Sequence, residues 1–162
     1  MRVLIASMAL LLAGCGFEPM YAPSAHGRMA IGPVHVETIE GKAGFVLKSE
    51  LDRMLSVEDN GATPSQLDIS LKESVVLLGL RLDESASRAE LRLTADYVLT
   101  PAEAGARPLR GSIDSVVTYE IPTAAFGEIS AQDDARERAA ETLAQRMRAE
   151  LAIRLHQRSS GS

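Results

Sequence analysis

Apolar and polar residues alternate with a period of two along three stretches in the middle of the chain, at residues 67–77, 89–99 and 109–121. A period of two over so many residues is typical of half-buried antiparallel strands. A shorter alternation around Val34 and Val36 predicts another strand from Ile31 to Ile39. The pattern therefore predicts four strands, the last three of them consecutive and joined by turns.

Two other stretches carry apolar residues at helical spacing. Residues 45–57 have Leu47 and Leu51 four positions apart, and a longer stripe of Ala, Leu and Met repeats every four residues between 135 and 155. Ser130 is the predicted N-cap of this second helix, with Asp133 at the capping-box position. A helix of about 27 residues spans roughly 40 Å. A strand of about 12 residues is equally long, so the helix can cover the sheet from end to end.

These elements predict an α+β fold. Both apolar stripes are buried if one four-stranded, mostly antiparallel sheet carries the two helices on one face, as a two-layer sandwich in the order β-α-β-β-β-α. We expect this single domain at residues 31–157. Residues 15–30 are rich in Pro and Gly and predict a tether, and residues 158–162 predict a disordered tail.

The first residues have the organisation of a secretory signal. Met1 and Arg2 form a short positive region, and the apolar run that follows is shorter than the ~20 residues of a membrane-spanning helix. Leu-Ala-Gly14-Cys15 resembles the bacterial lipobox, which predicts a signal peptide at residues 1–14, cleavage between Gly14 and Cys15, and lipidation of Cys15. Cys15 is the only cysteine, so no disulfide competes for it. Because residue 16 is Gly and not Asp, we expect the lipid anchor in the outer membrane, on its periplasmic side.

The composition and spacing of polar residues argue against several other functions. The net charge of −5, with 17 basic and 22 acidic residues mixed along the chain, does not suggest a nucleic-acid surface. No Cys or His residues have metal-ligand spacing, and no phosphate-binding loop or nucleophilic serine motif is present. Asp133 and Asp134 could form a catalytic carboxylate pair, but a helix N-terminus explains them better. We therefore expect no enzymatic activity, no cofactor and no metal.

One stretch breaks the alternation. The apolar run at residues 75–78 and Leu80 places apolar side chains on both faces of the second strand, with arginines nearby. Burial on both faces would require a second partner at this end, or a covering loop of the chain itself. Arginine suits phosphate recognition, although an isolated surface arginine is usually only solvated. The candidate residues for contact with a partner or with lipopolysaccharide are Val76, Leu78, Leu80, Arg81, Arg88 and Arg92.

The sequence Leu-Ala-Gly-Cys15-Gly-Phe-Glu-Pro-Met-Tyr21 resembles the start of mature LptE-family proteins, the lipopolysaccharide-assembly lipoproteins, in their alphaproteobacterial form. The predicted element order over residues 31–156 and the Asp134-Ala135-Arg136 start of the long helix match as well. The resemblance implies a lipoprotein that forms a plug inside the outer-membrane β-barrel LptD, assists its assembly and contacts lipopolysaccharide. No short motif allows the lipid-contacting residues of the family to be transferred.

Two alternative functions remain open at this point. An auxiliary lipoprotein of an ABC-type transport system can have a two-layer fold behind a lipobox, and it would associate with an inner-membrane permease. An enzyme would need a metal- or nucleophile-dependent activity. A co-purifying barrel would instead favour the lipopolysaccharide-assembly interpretation.

Overall fold

The computed structural model describes residues 33–55, 62–80 and 86–160. The order of its elements confirms the predicted α+β fold with the order β-α-β-β-β-α. The elements are β1 (Val34–Val36), α1 (Lys42–Leu55), β2 (Ser65–Leu80), β3 (Ala86–Thr100), β4 (Leu109–Glu120) and α2 (Ala125–Ser160).

The four strands form one sheet in the order β1-β2-β3-β4. β1 runs parallel to β2, and the other two neighbouring pairs are antiparallel, so the prediction of a mostly antiparallel sheet is confirmed. β1 is shorter than the predicted strand, whose residues 31 and 32 lie outside the described part. It ends early because the chain turns away from the sheet after the N–H of Glu37 donates to the carbonyl of Leu67 at 3.0 Å.

The core lies between one face of the sheet and the two helices. Every second residue of β3 from Ala89 to Leu99 is buried, since β3 has a strand on each side and the helices above it. The helices contribute apolar stripes at the expected spacing, which confirms the predicted inward face of the second helix. The fully buried side chains of these stripes include Leu47 and Leu51 of α1 and Leu143, Met147 and Leu151 of α2.

Small residues bring α2 close to the sheet. Four alanines of α2 are fully buried, namely Ala135, Ala139, Ala140 and Ala144. Beneath them, the buried hydroxyl of Ser115 on β4 donates to the carbonyl of Ala139 at 2.7 Å. This bond satisfies a polar group that would be costly to bury unpaired, and it joins the middle of the helix directly to the strand.

Both helices begin earlier than predicted. α1 begins at Lys42, and α2 begins at Ala125 and not after Ser130. The N–H of Glu128 already donates to the carbonyl of Ala124 at 3.1 Å, so Ser130 lies inside the helix and its assignment as N-cap is wrong. The first turn was missed because its apolar residues do not continue the buried stripe. The helix also extends to Ser160, into the predicted tail, whose last two residues lie outside the described part.

Candidate partner-binding surface

β2 and β3 form a long hairpin whose closed end is apolar and exposed. Pairing extends from Gln66 with Thr100 up to Leu80 with Ala86. Near the closed end, four consecutive side chains of β2 are between 37% and 66% exposed, those of Val75, Val76, Leu77 and Leu78. Successive side chains of a strand point to opposite faces, so both faces are apolar here. We call residues 75–78 the apolar hairpin end.

The exposure of Val75 and Leu77 was not expected. The alternation placed Val75 and Leu77 on the core side of the sheet, and they do lie on that side, but they are 38% and 66% exposed. Their neighbours on β3, Leu91 and Ala89, are fully buried. The helix layer therefore ends before Val75 on the β2 side of the sheet. Within the described ranges no segment covers the hairpin end, while the connecting residues 81–85 lie outside them.

Charged side chains mark the place where the helix layer ends. Arg136 of α2 binds Glu73 of β2 through its Nε and Nη2 atoms, at 2.9 and 2.8 Å. Arg136 also donates to Asp133 at 3.0 Å, and Asp133 accepts from Lys42, at the start of α1, at 2.7 Å. These four residues, the basal network, join β2 to both helices immediately before the hairpin end. They orient the hairpin relative to the helix layer.

The basal network changes the pKa of two of its residues, Arg136 and Asp133. The hydrogen bond to Glu73 raises the pKa of Arg136, although partial burial opposes the rise. The hydrogen bond from Lys42 holds the pKa of Asp133 below its usual range, with a further lowering by Arg136. Both groups are therefore charged at neutral pH, and Asp133 is paired with cations and not with Asp134. Asp134 pairs instead with Arg138 at 3.0 Å.

The first turns of α2 add apolar side chains at the same end of the molecule. α2 runs antiparallel to β4, because Arg146 and Arg154 donate to the carbonyls of Asp114 and Arg110. It therefore also runs antiparallel to β2, so its N-terminus lies at the closed end of the hairpin. Phe126 and Ile129 in these turns are 85% and 62% exposed. They are exposed apolar side chains at the same end of the fold as the apolar hairpin end, and we call this end the apolar end.

The six residues predicted for partner contact form three groups: the apolar residues on the outer face, the arginines of β3, and the residues whose side chains are not described. Val76 and Leu78 are exposed on the outer face of the sheet, as expected. Arg88, opposite Leu78, has a 62% exposed side chain and lies 4.0 Å from Glu120. Arg92 already binds Asp114 at 3.0 Å and contacts Glu90 at 3.4 Å. The third group contains Leu80, whose side chain is not described, and Arg81, which lies outside the described residues.

Apart from Val98 and Val116, the rest of the outer sheet face is polar. Lys72 and Ser112 both bind the carboxylate of Asp96, at 2.9 and 2.7 Å, across three neighbouring strands. These hydrogen bonds hold the pKa of Asp96 below its usual range, with Lys72 the larger cause. Arg92 and Asp114 form the next pair in this ladder of hydrogen-bonded polar side chains. This face is therefore suited to water or to a polar surface, in contrast to the apolar hairpin end.

The described residues contain no group of three or more His, Cys, Asp or Glu that could hold a metal ion. His35 is exposed on β1, with its Nε2 atom 4.0 Å from Glu37, and His156 is exposed near the end of α2. In the same part of the chain, no helix has both the length and the apolar character needed to cross a membrane. The distinctive surface of the molecule is thus the apolar end and not a polar cleft.

Comparison with known proteins identifies the family. The model of the LptE family, described as lipopolysaccharide-assembly, matches residues 28–159. The chain belongs to the LptE family. The match covers all of the described residues except Ser160, and so includes the hairpin end and the basal network. No curated protein matches the chain.

Two solved structures share the fold of this LptE-family chain, and a third has a lower similarity. A lipoprotein from Caulobacter crescentus CB15 is 29% identical, with a TM-score of 0.59, and the alignment covers 76% of this chain and 91% of that one. A minor lipoprotein from Acinetobacter baumannii is 17% identical, with a TM-score of 0.51 and coverage of 74% and 89%. The rare lipoprotein B of Shewanella oneidensis is 15% identical, with a TM-score of 0.49 and coverage of 75% and 99%.

Family membership gives the chain a role in lipopolysaccharide assembly, as a membrane-associated lipoprotein of the cell envelope. This is an assembly family and not a family of enzymes. Sequence analysis missed four residues of the apolar end: Val75, Leu77, Phe126 and Ile129. The apolar run from Val75 was visible, but only the arrangement of the helices reveals that its core-side residues are uncovered.

Proposed function

We propose that this chain is an outer-membrane lipoprotein, anchored through Cys15 on the periplasmic side, that acts as plug and assembly partner of an LptD-type β-barrel. In this role it supports the transport and insertion of lipopolysaccharide. Membership in the lipopolysaccharide-assembly family supports the process, and the apolar hairpin end supports a partner. The lipobox resemblance supports the anchor.

The apolar hairpin end is the observation that carries the proposal. Fully burying a large apolar side chain is worth about 1.5–3 kcal/mol. Val76 and Leu78 are 52% and 37% exposed, so a partner that covered both would recover about 2 kcal/mol in total. Monomeric proteins rarely keep a contiguous apolar patch exposed unless it has a function. The barrel lumen or its lipid cargo would cover this patch.

The polar outer face of the sheet is compatible with the interior of a barrel. The lumen side of an outer-membrane barrel is polar, whereas its lipid side is apolar. The ladder of Lys72, Asp96 and Ser112 would face such a lumen without burying an unpaired charge. The chain would then occupy the lumen with its polar sheet face toward the wall and its apolar end toward a second contact.

Co-purification tests this proposal. The double variant Val76→Ser with Leu78→Ser should fold like the wild type and lose about 2 kcal/mol of binding, which is about 30-fold in affinity for the co-expressed barrel. The control is Ile153→Ser, since Ile153 is 56% exposed on α2 and lies toward the end of the fold opposite the hairpin end. A lower melting temperature with intact binding would mean that Val76 and Leu78 stabilise the fold. Recovery of an inner-membrane permease in place of the barrel would contradict the proposal.

Arg88 provides a charge test for the cargo. Its exposed guanidinium suits a phosphate, and its ion pair with Glu120 is long at 4.0 Å. Arg88→Glu should weaken binding of purified lipopolysaccharide and reduce the salt dependence of that binding. Arg148→Glu on the exposed side of α2 is the control. Equal effects of both variants would indicate a general charge effect and not a contact at Arg88.

A further inference from the structure

The hydrogen bonds of the sheet determine which backbone groups of β2 point away from β3. The N–H of Ile121 donates to the carbonyl of Ser87 at 3.0 Å, so the odd-numbered residues of β3 bond to β4 and the even-numbered ones to β2. Even-numbered residues of β2 face even-numbered residues of β3. The odd-numbered residues of β2 therefore present N–H and C=O outward. β1 uses this edge at Ser65, which donates to Pro33, and at Leu67.

Most of this edge has no strand beside it. Beyond Leu67, no strand within residues 33–55, 62–80 and 86–160 pairs with the outward side of β2. The connection from β1 to α1 passes near Leu71 and Glu73, with which it lines a shallow pocket. Past that connection, the backbone groups of Val75 and Leu77 face outward. Gly79, with a φ of 67°, then departs from strand geometry. We call residues 73–77 the open edge.

The open edge lacks the features that usually prevent strand addition. Edge strands are commonly protected by lysines, prolines or inward-pointing charges. Residues 74–78 of this chain contain neither a charge nor a proline. Glu73 is charged, but both its carboxylate oxygens are held by Arg136. The open edge is therefore a template for another extended chain.

We propose that the open edge binds an extended apolar segment of the barrel protein by strand addition, an inference that rests on the proposed function. The exposed surface there requires two things at once: partners for the outward backbone groups of Val75 and Leu77, and cover for apolar side chains on both faces. An acyl chain supplies only the second, and a helix has no free backbone groups for the first. An extended peptide with consecutive apolar residues supplies both.

The source of this segment within the barrel protein follows from barrel closure. In a finished barrel every wall strand is paired on both sides, so the wall has no edge to offer. The added segment is therefore a loop that enters the lumen, or a strand of the barrel before it closes. In both cases the contact is continuous with the apolar surface at Val76 and Leu78.

Amide hydrogen exchange tests the strand addition directly. It is measured on the full chain alone and in its complex with the co-expressed barrel. In the chain alone, the amides of Ser74 and Val76 are protected by β3, whereas those of Val75 and Leu77 exchange freely. In the complex, we expect the amides of Val75 and Leu77 to slow by about 100-fold or more. An intact complex in which these two amides still exchange freely would overturn the strand addition and leave the proposed function standing.

Two variants of one residue separate strand addition from a purely apolar contact. Val75→Pro removes an outward N–H that bonds to none of the described strands but keeps an apolar side chain, and proline is tolerated at strand edges. Val75→Thr keeps the N–H and the shape but makes the side chain polar. Strand addition predicts that Val75→Pro weakens barrel binding by about tenfold, more than Val75→Thr does. The reverse order overturns it.

Two further results would also overturn the inference. If no barrel co-purifies with the wild-type chain, the proposed function fails and the strand addition fails with it. If the amides of Val75 and Leu77 become protected in the isolated chain as its concentration rises, while its mass doubles in analytical ultracentrifugation, the occupant is a second copy. Circular dichroism of Val75→Pro shows whether that variant folds, and the exchange experiment on the wild type does not depend on it.

Discussion

Tyr97 and Gly111 face each other across β3 and β4, and the tyrosine ring occupies the space above the glycine. A Cβ atom added to Gly111 would lie 2.6 Å from both Cζ and Oη of Tyr97, well inside normal contact distance. Tyr97 is only 2% exposed, so its ring has no open space into which to move. We therefore expect Gly111→Ala to destabilise the domain, although alanine normally suits a strand better than glycine does.

The size of the effect follows from the crowding. Overpacking a buried site costs about 1–3 kcal/mol, which for a domain of this size is about 3–10 °C in melting temperature. With Tyr97→Leu the ring is absent, and Gly111→Ala should become neutral or gain about 0.5–1 kcal/mol. Tyr97→Leu leaves no hydrogen-bond partner behind, since Tyr97 Oη has none among the described residues. The two substitutions should therefore couple by about 2–3 kcal/mol.

A double-mutant cycle measures this coupling. Urea unfolding followed by circular dichroism gives the free energy of unfolding of the wild type, both single variants and the double variant. All four lack the signal and carry Cys15→Ser. Tyr97→Leu combined with Val116→Ala is the control, because Val116 lies on the opposite face of the sheet and should behave additively. If Gly111→Ala and Tyr97→Leu are additive within about 0.5 kcal/mol, the proposed ring–glycine contact does not exist.

Three further predictions concern the anchor, the core and the basal network. Cys15→Ser should abolish palmitate labelling and leave an uncleaved or soluble form, and label that persists would exclude Cys15 as the anchor. Leu151→Asp should unfold the domain because it buries an unpaired charge, whereas Met147→Leu should cost less than about 1.5 kcal/mol; thermal melting of Leu151→Asp at the wild-type temperature would contradict the helix orientation. The lowered pKa of Asp133 means that its ion pair stabilises the fold at neutral pH and that this contribution disappears as the pH falls through that pKa, below the usual carboxyl range. Lys42→Met should raise the pKa of Asp133 in an NMR titration, and an unchanged pKa would contradict the contact.

The fold was predictable because it depends on patterns that are local in the chain. The alternation at residues 89–99 indicates which side of β3 is buried, and the spacing of four in α2 indicates its inward face. Each pattern requires an apolar partner layer, and one sheet with two helices satisfies all of them. Helix ends were less predictable. Ser130 has the chemistry of an N-cap, but the helix begins before it, after the turn at Pro122.

The candidate surface was only partly predictable, because exposure is a property of the assembled layers. Val76 and Leu78 could be selected from the loss of alternation, since they lie on the face that is polar earlier in the strand. Val75 and Leu77 resume the core pattern after its one break at Glu73, and their alternation by itself looks the same as that of the buried Leu67. They are exposed because β2 extends past the start of α1.

The sequence alone determined the strand and helix faces, the order of the elements and the single cysteine of the lipobox, since each is a local pattern or a residue count. Only the tertiary structure decided where the helix layer stops, which charges meet in the basal network and which edge of β2 has no neighbouring strand. Glu73 and Arg136 are distant in the chain, and their meeting depends on the packing of α2 against the sheet. The open edge depends likewise on β1 ending at Val36, where the chain leaves the sheet to start α1.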